Sequence, residues 1–383
     1  MMQHLGDITK LNGATIEPVW CVTGGSPCQD LSIAGKRAGL AGARSGLFME
    51  QIRVIKEMRE HDKRLGRAGE LIRPRYMVWE NVPGAFSSNK GRDFAAVLEE
   101  IIKIVEPEAP GIEVPEKGWP TLGGYHDEMG GRWSVAWRTH DAQYWGVPQR
   151  RRRISVVADF GGDNASEILF DRKSVSGDIA ESGAAGEGFA EAAESGFNPA
   201  VGDCMTAWDC QSKRIFDTNG KSPTLQAGES KVSHAVVCED VSHALRAKAA
   251  GCAYREDAET YPVQNMVVRR LTPLECERLQ GFPDGWTDIG DYTDSTGKKR
   301  KTSDSARYKA LGNSIALPFW RWMFGRMADY LPEGATLGSL FDGIGGFPLC
   351  WENIHGAGTA IWASEIEEFP IAVTKLRFGG AIT

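Results

Sequence analysis

A cysteine and a glutamate, each close behind a short apolar run, are the residues of this chain best suited to chemistry. Cys28 lies within Thr23 to Ser32, a segment that follows the apolar run Val19 to Val22 and contains the turn-forming pair Gly24-Gly25. A cysteine on a loop at the carboxyl end of a strand can act as a nucleophile, whereas most cysteines pack as small hydrophobes. The context of Cys28 alone leaves both interpretations open.

Glu80 stands in a comparable place, directly after the apolar run Tyr76 to Trp79. Carboxyl ends of parallel strands meet at one edge of a sheet, so we expect Glu80 and Cys28 to share that edge. A lone glutamate at a strand end is usually solvated, but beside a thiol it can transfer a proton. The two residues together predict a catalytic site with Cys28 as its nucleophile.

Two basic runs interrupt an acidic chain. The 383 residues carry a formal net charge of −7, which argues against binding polyanions by bulk charge. Four consecutive arginines end the run Gln149 to Arg153, and four consecutive cations form Lys298 to Lys301. Alternation along a strand would point Gln149, Arg151 and Arg153 to one side and the other two arginines to the opposite side. A nucleic-acid site on this protein must therefore be a local basic surface.

Two glycine-rich segments have different patterns. Gly35 to Gly46 carries three cations, which suits either a loop that closes on phosphates or an ordinary flexible linker. Thr336 to Phe347 has the order strand, tight turn and helix found in nucleotide-binding units. Glu365 ends the next apolar run, where a ribose hydroxyl pair would need an acceptor. This spacing favours nucleotide binding over a plain packing turn.

The remaining periodicity predicts an α/β protein. A composition rich in Gly, Ala, Ser, Glu and Asp from Gly161 to about Gly196 indicates a linker, and short β-like runs follow it. We expect three parts: 1–160 and 286–383 in one catalytic domain, and 161–285 in a second domain. Further expected strands are His4 to Thr9, Trp133 to Thr139, Ile154 to Ala158, Cys204 to Trp208, Ser233 to Cys238 and Val263 to Val268. Expected helices are Phe48 to Glu60, Phe94 to Val105, Thr272 to Gly281, Ile315 to Tyr330 and Glu367 to Arg377.

Composition also excludes several classes. The eight cysteines include no Cys-x-x-Cys pair, so neither a zinc site nor a disulfide framework is predicted, and we expect no metal. No run of about eighteen apolar residues exists, and the first residues lack a signal peptide. A cytoplasmic, nucleoid-associated protein without a membrane partner is expected.

Together these blocks resemble the DNA (cytosine-5) methyltransferases over nearly the whole chain outside the linker. The most specific part of the likeness is the set Pro27-Cys28-Gln29, Glu80-Asn81-Val82 and Gln149-x-Arg151-x-Arg153, in this order. The other matching segments are Phe341-Asp342-Gly343-Ile344-Gly345-Gly346-Phe347, Glu365, Asp7-Ile8, Gly46-Leu47-Phe48, Arg269 to Pro283 and Gly312-Asn313-Ser314.

The sequence departs from the family pattern in two ways. Ser339 stands where many members carry an acidic residue, two positions before Phe341. The cofactor blocks that usually open the chain lie at its carboxyl terminus, so the resemblance implies a circularly permuted member. In that order Met1 to His4 and Phe378 to Thr383 are expected side by side, with Met323 to Thr336 bridging the family's former ends.

The resemblance implies a Rossmann-like, S-adenosylmethionine-dependent methyltransferase sheet with a smaller, mostly β target-recognition domain. The implied reaction flips a cytosine out of duplex DNA, adds Cys28 to carbon 6 and methylates carbon 5. In this reaction Glu80 protonates ring nitrogen 3 and Arg151 is the cation beside the base. The Gly35 to Gly46 loop closes over the flipped base. The implied cofactor-binding residues are Phe341, Gly343, Gly345, Gly346, Phe347, Glu365, Ile366, Asp7, Ile8, Pro27, Leu47 and Asn313. The implied DNA-binding residues are Gln29, Ser32, Arg44, Gln149 and Arg153.

The expected setting is a restriction-modification system or phage protection, with double-stranded DNA as substrate, a cognate restriction endonuclease as a partner and a monomeric enzyme. A transfer-RNA cytosine-5 methyltransferase would share the chemistry, although the long second domain favours a reader of duplex sequence. An inactive DNA-binding homologue would not need Cys28 or Glu80. A nicotinamide-dependent oxidoreductase would use the glycine-rich turn but leave both residues without a task.

Overall fold

A computed structural model describes residues 2–26, 46–127, 132–170 and 271–379, together with the backbone of three short strands between 242 and 268. The described residues fall into two compact units. The first contains those of Met1–His140, Arg152–Asp178 and Phe319–Thr383, and the second those of Asp141–Arg151 and Ile179–Pro318. The helix Ala165–Leu169 lies inside the predicted linker and belongs to the first unit. The functional division at residues 161 and 285 stays a prediction.

An eight-stranded sheet forms the centre of the first unit. In spatial order its strands are β1 (Gln3–His4), β14 (Ala360–Ser364), β13 (Leu337–Leu340), β2 (Cys21–Gly24), β3 (Tyr76–Asn81), β7 (Arg152–Asp159), β5 (Ser134–Asp141) and β4 (Leu122–His126). The first five are parallel to one another, β3 pairs antiparallel with β7, and β5 pairs antiparallel with β4. The predicted α/β class is confirmed.

Eight α-helices lie in the described residues. They are α1 (Gly46–Arg64), α2 (Arg92–Ile102), α3 (Ala165–Leu169), α4 (Pro273–Gln280), α5 (Asp304–Asn313), α6 (Leu317–Ala328), α7 (Gly346–His355) and α8 (Glu368–Arg377). The remaining strands are β6 (Gln149–Arg150), β8 (Ser242–His243), β9 (Val263–Gln264), β10 (Val267–Val268), β11 (Tyr292–Thr293) and β12 (Lys299–Arg300), which form three two-stranded pairs. None of these helices is long and apolar enough to cross a membrane.

Strand β13 lies between β14 and β2 although it comes near the end of the chain. All four of its residues are buried, as expected of a parallel strand covered on both faces. A Cβ atom on Gly338 would lie 2.1 Å from the ring of Trp362, so glycine is required for this strand to pack against the tryptophan. The glycine-rich turn therefore follows a strand in the middle of the sheet.

The two ends of the described chain meet in the first unit. Strand β1 pairs with β14, and the helix that follows β14 is α8. The Nε2 atom of His4 lies 3.4 Å from the Thr374 hydroxyl of α8. Burial and the charge of Lys375 lower the pKa of His4 to about 4, so its imidazole is neutral at pH 7. Met1 and residues 380–383 lie outside the described residues, so the predicted adjacency of the full termini stays a prediction.

A buried carboxylate organises the second unit. Thr272 and Glu275 form a capping box at the start of α4, and Gly281 ends the helix in a left-handed conformation. Glu277 of α4 accepts the backbone N–H groups of Gly285 and Thr287 at 2.7 and 2.8 Å. The predicted start and end of this helix are confirmed.

Several element boundaries differ from the sequence prediction. Strand β2 begins at Cys21 rather than Val19, and β1 ends at His4, because Asp7 caps a 3₁₀ turn instead of continuing the strand. The expected strand 263–268 is the separate pair β9 and β10. The other shifts are of a few residues at element ends. The expected strands 204–208 and 233–238 lie outside the described residues.

Candidate active site

Glu80 and Arg153 form an ion pair at the carboxyl edge of the sheet. Glu80 lies within β3, one residue before its end, whereas the sequence predicts it directly after the strand. Arg153 lies on β7, where Glu80 is paired in register with Ser155. The Arg153 Nε atom is 2.8 Å from Oε1 of Glu80, and the two side chains are 19% and 14% exposed. A partly buried pair of this geometry fixes the direction of the carboxylate.

The segment that precedes Cys28 passes close to the Glu80 carboxylate. A Cβ atom on Gly25 would lie 3.2 Å from Oε2 of Glu80, and one on Gly24 would lie 2.4 Å from Oε1 of Gln51. The side chain of Ser26, the next residue, accepts a hydrogen bond from Trp79 Nε1 at 3.1 Å. The two glycines thus let the segment pass against Glu80. The predicted site residues Pro27, Cys28, Gln29, Ser32 and Arg44 lie outside the described residues.

Three other cysteines are described, and all three are buried. Burial raises the pKa of the thiols of Cys276 and Cys350 to about 12, and it raises that of Cys21 well above its ordinary value. A thiolate is the reactive form of cysteine, so none of these three is suited to nucleophilic attack near pH 7.

The arginine run alternates as predicted. Gln149 and Arg151 are buried, Arg153 is partly buried, and the two intervening arginines are exposed. Arg151 belongs to the second unit, where its Nη2 donates to the carbonyl of Gly312 at 3.3 Å and to that of Ser314. The sequence prediction placed Arg151 beside the base, but in the structure the cation at Glu80 is Arg153. The catalytic role of Arg151 stays a prediction.

Two further predicted residues have opposite exposures. Gln149, predicted to bind DNA, is 0% exposed, so its side chain does not reach the surface in this conformation. Asn313, predicted to bind the cofactor, ends α5 and is exposed, next to the two carbonyls that Arg151 holds. Arg151 therefore positions the Asn313 segment within the second unit.

The glycine-rich turn after β13 has a left-handed backbone. Phe341, Gly343 and Gly345 have φ values of 54°, 57° and 81°, a region that a residue with a side chain rarely adopts. Gly343 donates its N–H to Oε2 of Glu365 at 2.9 Å. A Cβ atom on Gly345 would lie 2.6 Å from the Phe378 ring, so only glycine fits there. The turn and the end of β14 are thereby locked together.

Some of the predicted cofactor residues around this turn are buried in the interior, and others are exposed at the surface. Ile8 and Phe347 are buried in the interior, and Phe347 packs edge-on against Trp320 at 4.9 Å between ring centroids. Ile366 is 70% exposed, the highest value among the large apolar side chains described as exposed. An exposed apolar side chain next to Glu365 suits a nucleoside, whose base needs an apolar face and whose ribose needs an acceptor.

Further predicted residues lie in the same unit as this turn. The Ser364 hydroxyl donates to the carbonyl of Gly6 at 2.6 Å, which holds the Asp7 segment at the end of β14. Thr9 donates to Asp7 through its backbone N–H at 3.0 Å, and this bond lowers the pKa of the Asp7 carboxyl. Gly346 begins α7 and Leu47 packs on the main core. No group of side chains suited to a metal ion occurs among the described residues.

Sequence reasoning missed the role of one residue near Ser339. Asp342 is buried beside that serine, whose hydroxyl donates to its Oδ1 at 2.6 Å. The signal was present in the sequence. Asp342 stands three positions after Ser339, the position at which many family members carry their acidic residue. The local pattern did not indicate whether this carboxyl points outward or into the protein.

The chain matches the family model described as C-5 cytosine-specific DNA methylase over residues 2–104 and 124–328. It is 30% identical over 430 aligned residues to the DNA N-6-adenine-methyltransferase of Escherichia phage P1, covering 85% of this chain and 55% of that protein. It is 26% identical to the type II methyltransferase M2.BsuMI of Bacillus subtilis, covering 82% of this chain and 61% of that protein. The chain thus spans less than two thirds of the length of these relatives.

Among solved structures, one similar chain is the Dnmt2 methyltransferase of S. pombe, at 13% sequence identity and a TM-score of 0.43. The match covers 84% of this chain and 82% of that chain.

Proposed function

The chain belongs to the C-5 cytosine-specific DNA methylases, and on that basis we propose that it is a DNA (cytosine-5) methyltransferase with Cys28 and Glu80 as its catalytic pair. The observation that carries the proposal is the Glu80–Arg153 ion pair, against which the chain passes at Gly25, three residues before Cys28. A carboxylate fixed beside the segment that precedes the cysteine is the arrangement that this reaction needs.

The chemistry explains why both groups are required. Carbon 5 of cytosine is a weak nucleophile, and it becomes reactive when a thiolate adds to carbon 6. The sulfur of Cys28 forms that bond, and Glu80 gives a proton to ring nitrogen 3, which takes up the negative charge. Arg153 holds the carboxylate in place. After the methyl group has been transferred to carbon 5, loss of the proton at that carbon expels the Cys28 thiolate.

S-adenosylmethionine is the methyl donor of this family, and when bound it supplies the methyl group. The glycine-rich turn fits such a group on three counts. Gly343 has open space where a side chain would stand and so allows a close backbone approach, Glu365 offers a fixed carboxylate, and Ile366 offers an exposed apolar side chain. We assign these residues to the donor, together with Asp7, whose segment is held beside them, and with Pro27, Leu47 and Asn313 as the resemblance implies.

The name of the phage P1 relative raises adenine methylation as a second candidate. That name describes a protein of which this chain spans 55%, and the match to the cytosine family model covers most of this chain. Transfer to the exocyclic amine of adenine would not need addition of a thiolate to the ring. Nuclease digestion of methylated DNA separates the two, because it yields 5-methylcytosine in one case and N6-methyladenine in the other.

We also propose that the chain is a circularly permuted member of the family. Two observations support this order. Strand β13 carries the glycine-rich turn and lies in mid-sheet although it is thirteenth along the chain, and β1 pairs with β14 beside α8. The matched ranges of the family model also end at residue 328, before β13 begins.

Residues 161–285, most of which belong to the second unit, have a separate task in this proposal, the choice of the DNA sequence. Replacing this segment by that of another family member should transfer the other member's target site. Retention of the original site would assign sequence reading to another part of the chain. We further propose that the enzyme is a monomer and acts in a restriction-modification or phage-protection setting. A cognate restriction endonuclease is its proposed partner.

Covalent trapping tests the mechanism directly. Duplex DNA of random sequence with 5-fluorocytosine in place of cytosine should capture the protein in a denaturation-resistant complex, because fluorine at carbon 5 blocks elimination. The complex should require S-adenosylmethionine and should be absent in C28S. The matched control is C276S, which removes a buried thiol and should trap like the wild type. Equal trapping by C28S would refute the mechanism, and trapping of transfer RNA instead of DNA would reassign the substrate.

A further inference from the structure

A buried acid without a cation lies inside the glycine-rich turn. Asp342 is 6% exposed, and its Oδ1 accepts the Ser339 hydroxyl at 2.6 Å. Its Oδ2 is also buried and has no hydrogen-bond partner among the described residues. An unsatisfied buried carboxyl oxygen is costly whether or not it carries the proton. The protein keeps a polar atom here that its own described side chains do not satisfy.

The backbone imposes this position. Phe341 is in the left-handed region with φ of 54°, which is unfavourable for a residue with a large side chain. The Asp342 N–H donates to the Ser364 carbonyl at 3.2 Å, and the Asp342 carbonyl accepts from Gly345 at 3.1 Å. This turn directs the side chain of residue 342 back to Ser339 on β13. The inward carboxyl is therefore fixed by the same turn that we assign to the methyl donor.

The surroundings favour the neutral form of the acid. Burial raises the pKa of Asp342 to about 8, the Ser339 hydrogen bond lowers it, and the charge of Glu365 raises it further. Among the described residues, Glu365 at the end of β14 is the charged group that acts on Asp342, and β13 itself carries no charged side chain. Near pH 7 this site therefore holds a protonated Asp342.

We propose that Asp342 is a counter-ion for the methyl donor, holding a proton while the turn is empty and releasing it to solvent when a cationic ligand binds. S-adenosylmethionine carries a sulfonium and an α-ammonium charge, and either would stabilise the carboxylate through its unpartnered oxygen. One proton leaves for each carboxylate formed, so charge balances. The inference rests on the proposed function, because it assumes that this turn binds the donor.

Calorimetry measures this proton without any turnover. S-adenosylmethionine is titrated into the full chain in phosphate and in Tris, and the difference in heat gives the number of protons released. With Asp342 ionised in the complex, the release from this group is about 0.9 proton at pH 7 and about 0.1 at pH 9. The same titrations of D342N should lack this part of the release at both pH values.

The affinity should follow the same pattern. As the pH falls below 8, the dissociation constant of the wild type should rise relative to that of D342N, by up to about tenfold for each pH unit. The reason is that Asp342 must lose its proton before it can pair with the cationic ligand. S-adenosylhomocysteine, which lacks the sulfonium, distinguishes the two charges. Release with both ligands identifies the ammonium as the partner of Asp342, and release with S-adenosylmethionine alone identifies the sulfonium. Both results support the proposal.

Asp93 provides a matched control. It is also a buried aspartate that accepts a serine hydroxyl, that of Ser88 at 2.5 Å, but it lies at the start of α2. D93N should release as many protons as the wild type. If D342N does not fold, S339A serves instead, since loss of the Ser339 hydrogen bond should increase proton release at pH 9. Equal release by wild type, D342N and S339A would overturn the inference. Failure of the wild type to bind S-adenosylmethionine at all would overturn the proposed function instead.

Discussion

The carboxyl edge of the sheet holds two acids in opposite surroundings. The Arg153 Nε atom lies 2.8 Å from Oε1 of Glu80, and this ion pair holds the carboxyl in place. Asp342 follows β13 at the same edge, is buried with Ser339 as its hydrogen-bond donor, and shares no ion pair with a cation of the described residues. The chemical group is the same. The difference shows that the groups around each acid, and not the residue type, decide whether it has a cation as its partner.

The largest expected effect is at Glu80. E80Q keeps the size of the side chain but cannot deliver a proton, so the methyl-transfer rate should fall by about 10²–10⁴-fold. Single-turnover transfer from labelled donor to DNA measures this. The control is E70Q, which removes another carboxylate paired with an arginine, Arg75 at 3.2 Å, and should leave the rate unchanged. A rate for E80Q within threefold of the wild type would remove Glu80 from the mechanism.

Arg153 and Arg151 should separate catalysis from stability. R153A leaves Glu80 without its cation and should lower the transfer rate by about 10²-fold, with little change in stability because the pair is partly exposed. R151A leaves the Gly312 and Ser314 carbonyls without their donor and should lower the free energy of unfolding by about 1–3 kcal/mol. Denaturant unfolding and transfer rates of both variants test this, and the reverse pattern would restore Arg151 as the cation beside the base.

The pH dependence of stability should identify Asp342 as the neutral acid. Its pKa is raised to about 8 in the folded protein from the ordinary value of 3.8. The native state therefore binds more protons between these values, and stability falls as pH rises through them, by up to about 1.4 kcal/mol per unit. D342N without ligand should lack this loss in urea unfolding between pH 5 and pH 8. Parallel curves for D342N and the wild type would show that Asp342 does not titrate there.

The smallest expected effect concerns chain order. Glu80 and Asp342 lie at the same edge of the sheet whatever the order of the strands along the chain. A chain with rearranged ends should therefore keep the surroundings of both acids. A variant that starts at Gly334, with Thr383 joined to Met1 through a short Gly-Ser linker, should lose less than about 1 kcal/mol of stability. Its thermal unfolding and its binding of S-adenosylmethionine are the measurements. A chain that fails to fold would contradict the permuted order that we propose.

The sequence predicted those features that depend on neighbouring residues. The helix from Thr272 to Gly281 and the alternating burial of the arginine run follow from local conformational preferences, and the structure confirms both. The strand, tight turn and helix around Phe341 were predictable for the same reason. Element ends were less predictable, because β3 extends through Glu80 by pairing with a distant strand, β7.

By itself, the sequence determined the family and the α/β class, because the matching motifs and hydrophobic periodicity are local properties of the chain. Tertiary structure alone decided which arginine faces Glu80 and which way Asp342 points. The antiparallel register of β3 and β7 brings Arg153 to Glu80, while Arg151 is directed to the carbonyls of Gly312 and Ser314. A charge in a protein is governed by groups within a few ångströms, and those groups come from segments that are distant in the sequence.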